Sequence, residues 1–190
     1  MSDSGQEWVW YGGRASLDFV NTCRDREADP VEYLRDPGQL AGWLSAAGLG
    51  GGPAEVDTAT FADALVLRED IDALLRACVE DTAAPAGALR RVNEWLTAAP
   101  ASPALRQAGG RLVLEPGPAQ PGARAALAAI ALDAAQLAGT GLRDRLRICP
   151  GPHCGGRFLD RSAGGRRRWC SMAVCGNRQK VSSHRRAAAR

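Results

Sequence analysis

The stretch Cys149–Arg190 reads CPGPHCGGRFLDRSAGGRRRWCSMAVCGNRQKVSSHRRAAAR, and four of the chain's six cysteines stand in it as two pairs. Cys149 and Cys154 enclose four residues, Cys170 and Cys175 enclose four more, and fifteen lie between the pairs. Zinc takes four soft or borderline donors in a tetrahedron, and two such pairs joined by a short connection supply four thiolates. Pro150, Gly151, Pro152, Gly155 and Gly156 let the backbone fold tightly around the first pair. Phe158-Leu159 and Trp169 read as strands closing at Ala163-Gly164-Gly165. The apolar stock is small: Ile148, Phe158, Leu159, Trp169, Met172, Val174 and Val181. A module of about forty residues with so little to bury needs a staple, and structural zinc contributes on the order of 10 kcal/mol. Zn2+ on Cys149, Cys154, Cys170 and Cys175 is therefore the expected cofactor. Four thiolates leave no open position, which argues against a hydrolytic zinc. His153 and His184 are the alternative ligands, while Cys23 and Cys78 stand alone and read as small buried apolar residues.

Outward from the second pair, Ser171 suits the N-cap of a helix running through Met172 and Val174 into Asn177, Arg178, Lys180, Val181, His184, Arg185 and Arg186. Val174, Val181 and Met172 are expected to face the hairpin. Arg178, Lys180, Arg185 and Arg186 would project outward, with Arg166, Arg167 and Arg168 adding charge before the helix. Asn177 and Arg178 can bond adenine and guanine edges, but both closely follow a ligand cysteine, so bracing the knuckle is the other reading.

The formal charge of +3 over 190 residues conceals a division. Residues 1–142 hold 11 Arg against 19 Asp and Glu (−8), whereas residues 143–190 hold 13 Arg and Lys against Asp144 and Asp160 (+11). A basic module on an acidic body points to a polyanionic partner such as DNA. The length fits one domain of residues 1–142 plus an appendage of residues 143–190. The acidic start and the lack of an 18-residue apolar run predict a soluble, cytoplasmic protein without membrane contact.

The body reads as helix-rich α+β. Helices are predicted over about Pro37–Ala47, Glu55–Glu80, Pro85–Ala98 and Ala123–Ala138. In the second, Phe61, Leu65, Ile71, Leu74, Leu75 and Cys78 point inward, with Arg68, Glu69, Asp70 and Asp72 largely outside. Ala104–Gln107 and Arg111–Glu115 flank Ala108-Gly109-Gly110 as a hairpin. Leu17, Val20 and Thr22 fit a helical turn or a short strand equally well, and Trp8, Trp10 and Tyr11 are candidates for exposure.

The run Cys175-Gly176-Asn177-Arg178 resembles the signature of the CGNR zinc-finger family. GGRASLDFVNT at Gly12–Thr22 and ALVLREDIDALL at Ala64–Leu75 resemble the ABATE domain, described as a stress-induced transcription regulator. The resemblance implies an α+β body followed by a zinc-stapled hairpin and helix of treble-clef or ribbon type, with the four cysteines as ligands and a DNA-binding regulatory role. In the CPGPHC knuckle His153 stands where such proteins often have Asp.

Three readings follow. One is a transcriptional regulator contacting DNA through Arg166, Arg167, Arg168, Asn177, Arg178, Lys180, Arg185 and Arg186. Another is a module that binds a small-molecule effector near Arg14, Asp18 and Asn21 and acts through a protein partner, although Asp18 and Asn21 also suit local backbone bracing. The third is a zinc-thiolate redox sensor. A homodimer would raise affinity and specificity on DNA. With two histidines, no nucleophile elbow, no phosphate loop and no HExxH, the chain is not expected to be an enzyme.

Overall fold

The computed structural model describes residues 8–26, 28–49, 56–97, 104–109, 111–115 and 122–188. The first element is a helix, α1 (Ala15–Val20), which settles the helix-or-strand ambiguity. A two-residue ladder follows, β1 (Cys23–Arg24) antiparallel to β2 (Val31–Glu32). Helix α2 (Pro37–Ala46) starts as its sequence dictates, with Pro37 in its first turn and Asp36 accepting the Gln39 N–H at 2.8 Å. Helix α3 (Thr58–Glu80) is capped by Asp57 and ends at Asp81, whose left-handed φ of 52° breaks the ladder. Helix α4 (Ala86–Thr97), the hairpin of β3 (Ala104–Ala108) and β4 (Arg111–Glu115), and helix α5 (Ala123–Gly139) complete the body.

Helix α3 lies at the centre, touching α1, α2, α4 and α5. Leu67, Ile71 and Leu75 meet Leu17, Phe19 and Val20 of α1, Trp43 of α2, and Leu127, Ile130 and Leu137 of α5 in one core. Buried Ala126, Ala131 and Ala134 make α5 a slim helix that neighbours can approach closely. The expectation that Arg68, Asp70 and Asp72 lie outside is overturned, since all three are buried. These three positions lie on the sides of the helix that other elements cover, so each is neutralised by a partner from another element. Arg68 bonds Glu32 at 2.5 and 2.7 Å, Asp70 takes two bonds from Arg91, and Asp72 meets Arg157. Cys23 and Cys78 are half-buried and unpaired. Trp10 is exposed but stacks on Trp43 with centroids 5.7 Å apart, while Trp8 and Tyr11 are half-buried.

After a short 3-10 turn (Gly141–Arg145), β5 (Leu146–Ile148) pairs antiparallel with β6 (Arg157–Leu159). The hairpin thus closes across the Cys149–Gly156 knuckle and not across residues 163–165, and Trp169 belongs to no strand. The reason lies in backbone partners. One edge of β6 takes β5, and on the other side the Leu159 N–H reaches Gly12 O at 2.9 Å. The 160–169 loop is gathered instead on the Asp160 carboxylate, which accepts from Ser162 N, Ser162 Oγ and Arg167 N. A π-helical turn (Met172–Gly176), capped by Ser171 Oγ, leads into α6 (Asn177–Ala188). Val174 packs inward as expected, but Met172 and Val181 are 60% and 51% exposed and do not face the hairpin.

Candidate metal centre and nucleic-acid interface

The knuckle after β5 supplies Cys149 and Cys154, and the π-helical turn supplies Cys175 with Cys170 just before its cap. The four Sγ atoms lie within 4.8 Å of one another. Cys154 is 3.5 Å from Cys170 and 3.4 Å from Cys175, and Cys170 is 3.6 Å from Cys175. A tetrahedron of sulfurs about 2.3 Å from zinc has edges of about 3.8 Å, so the donor set fits the ion. All four residues are buried, at 1–2% exposure. Glycine backbone packs closely on them: a Cβ on Gly151 would stand 3.2 Å from Cys175 Cβ, a tight contact, and one on Gly156 3.4 Å from Cys154 Sγ.

Hydrogen bonds from the Cys149 and Cys170 thiols hold Cys154 far below the ordinary thiol range, with the Gly156 N–H and the Arg24 guanidinium adding to the effect. Arg24 Nη2 donates to Cys154 Sγ at 3.0 Å. Cys175 is pushed up to about 12, first by burial and then by its bond to Cys154. Metal binding at such a set releases the thiol protons, so zinc affinity rises with pH. His153 is outside the cluster, exposed and bonded to Asp25 at 3.1 Å, while the His184 side chain lies outside the described residues.

Comparison with known families now bears on this arrangement. Residues 13–141 match the ABATE family, described as "Putative stress-induced transcription regulator", and residues 145–188 match the CGNR zinc finger. The chain belongs to the ABATE family and ends in a CGNR zinc finger. No curated protein matches it.

The finger is seated on the body through the segment that carries the ABATE resemblance. Asn21 Nδ2 donates to Arg157 O and Asn21 Oδ1 accepts from Arg157 N, both at 2.8 Å, so the side chain pairs with β6 as a strand would. The buried Arg157 guanidinium lies 2.6 Å from Asp72 on α3. Arg161 donates to Gly13 O, and the Asp25 N–H to Cys154 O. The effector residues proposed from sequence each bond other groups of the protein, although Arg14 Nε is buried without a hydrogen-bond partner. Arg14 pairs with Asp133 at 2.5 Å, and Asp18 takes the Gly12 N–H at 2.7 Å. The space beside Asp18 and Asn21 amounts to about 10 Å³, room for a single water.

The basic side chains divide in two. Arg167 is exposed but its guanidinium is tied to the protein, its Nε on Trp169 O at 2.9 Å, its Nη2 on Cys170 O and its Cζ 5.0 Å over the Phe158 ring. Arg178 donates to Pro152 O at 2.9 Å, bracing the knuckle. Arg166, Arg168 and Lys180 are exposed, Arg168 lying over Trp169, and Asn177 is exposed with Nδ2 on Ala173 O at 3.0 Å. Arg185 and Arg186 fall in α6, and their side chains lie outside the described residues. Arg24, Asp72, Arg157 and Asp160 were not singled out from sequence. Only Asp160 carried a local signal, the Asp-x-Ser spacing of a side-chain turn.

Proposed function

We propose that the protein is a DNA-binding transcription regulator that contacts duplex DNA through its zinc finger. One observation carries this: from Arg161 to Arg190 there are nine Arg and Lys and no Asp or Glu, and exposed Arg166, Arg168 and Lys180 stand on a scaffold fixed by four buried thiols. Phosphate contacts need only positive charge held at the surface, and the zinc supplies the rigidity that so small a core lacks. The family descriptions support a regulator. The four cysteines, at 1–2% exposure, offer an oxidant little access, which favours a structural zinc over a redox sensor. No helix among the described residues is long and apolar enough to cross a membrane, and this regulator would work in the cytoplasm.

The test is fluorescence anisotropy of the zinc-loaded full chain on a labelled duplex. With about four to six phosphates neutralised, log affinity should fall against log salt with a slope of about −4 to −5. Absence of binding to any duplex at 50 mM salt, about the low end of the useful range, would overturn the proposal.

A further inference from the structure

Helix α6 and the turn before it have one side committed to the finger. Cys175 and Gly176 are buried, Val174 packs on the cysteine cluster, and Arg178 is bonded to the knuckle. Another side is free of these duties. Ala173, Asn177, Lys180 and Val181 recur at the three- and four-residue steps that return a helix to one face, and all four are exposed. Val181 is 51% exposed and belongs to neither buried cluster, and a large apolar side chain beside exposed Asn177 and Lys180 invites a partner. With no carboxylate between Arg161 and Arg190, the stripe's charge is complementary to a polyanion.

We infer that this stripe is the reading face of the finger, and that α6 enters the major groove with Asn177 and Val181 against base edges and Lys180 on the backbone. The inference rests on the DNA-binding reading above. A bare α-helix with its side chains matches the groove's width of about 12 Å. Asn177 keeps one N–H on Ala173 O, which leaves its second N–H and its Oδ1, the acceptor and donor pair that adenine N6 and N7 require. Val181 stands one turn on, about 6 Å along the axis, near two base-pair steps of about 3.4 Å. Its methyls suit the thymine methyl group, so the two side chains specify A·T pairs two steps apart. Duplex RNA, whose major groove is deep and narrow, does not admit the face.

The experiment selects bound duplexes from a random DNA pool with the zinc-loaded full chain, and repeats the selection with Val181→Ala, Asn177→Ala and Lys180→Ala. Zinc content and Tm are measured for each protein. The wild type should return a short motif containing two A·T pairs separated by one base pair. Asn177→Ala should lose about five- to hundredfold on that motif and relax one position, and Val181→Ala about three- to tenfold at the position two steps on, both at unchanged salt slope. Lys180→Ala should weaken all sequences alike and lower the slope by about 0.9. Should the wild type bind no duplex, the DNA-binding reading itself falls. Should it bind with the expected slope while zinc-loaded Val181→Ala and Asn177→Ala keep both affinity and motif, or should duplex RNA bind equally well, the reading face alone is overturned.

Discussion

Asp18 shows how one residue can be settled by its surroundings. Burial raises its carboxyl from 3.8 to about 6, against the pull of the Gly12 N–H, because α1 places it inside the fold with Asp133 nearby. The folded protein keeps this proton between about pH 4 and 6, where the unfolded chain has lost it. The contribution therefore weakens folding as pH rises through that window, by about 3 kcal/mol in all. Asp18→Asn, which retains an acceptor for Gly12, should abolish this component. The stability of wild type relative to Asp18→Asn, read from urea melts at pH 4 and pH 7, should fall as pH rises, and parallel curves would refute the assignment. The ion pair of Arg157 and Asp72 makes a second residue-scale case. Arg157→Ala leaves the buried Asp72 charge unmatched and should cost about 3–5 kcal/mol, whereas replacing both by Met and Leu should recover most of it. Denaturant midpoints of the two variants check this.

Among elements, the 160–170 loop has the most to explain, because charge alone made Arg166, Arg167 and Arg168 equivalent. The structure separates them: all three are exposed, but Arg167 ties its guanidinium to Trp169 O and Cys170 O and so closes the loop. Arg166→Ala with Arg168→Ala should weaken binding to every duplex and flatten the salt dependence by about 1.8 without zinc loss. Arg167→Ala should instead lower zinc retention against a competing chelator. An equal effect of all three on DNA alone would contradict the geometry. Helices α2 to α5 were legible in the sequence because caps, glycines and apolar spacing are local. The partner of β6 was not, because Leu146–Ile148 and Trp169 are both plausible strands until the knuckle and Gly12 claim its two sides.

At the level of the molecule, the charge division near residue 142 does not divide the packing. Leu146 and Leu159 belong to the same buried core as the helices, and Tyr11 of the body packs on the cysteine cluster. Zinc should therefore stabilise more than the finger. On removal of the metal by a strong chelator, hydrogen exchange should quicken at the Arg157 and Leu159 amides, which bond Asn21 and Gly12, and at Gly12 itself. Amides in the middle of α3 should change least. Exchange confined to residues 149–175 would show the two parts to be energetically independent.

By itself the sequence determined the metal centre, since thiol chemistry and the spacing of two cysteine pairs admit few other outcomes. It also determined the helical body and the concentration of positive charge after residue 142. Only the tertiary structure decided which arginines are spent on the protein and which face solvent, that Asn21 and Asp72 serve to seat the finger, and that Val181 is left outside. These depend on contacts between residues up to 148 positions apart, for which no local pattern of charge or hydrophobicity provides a signal.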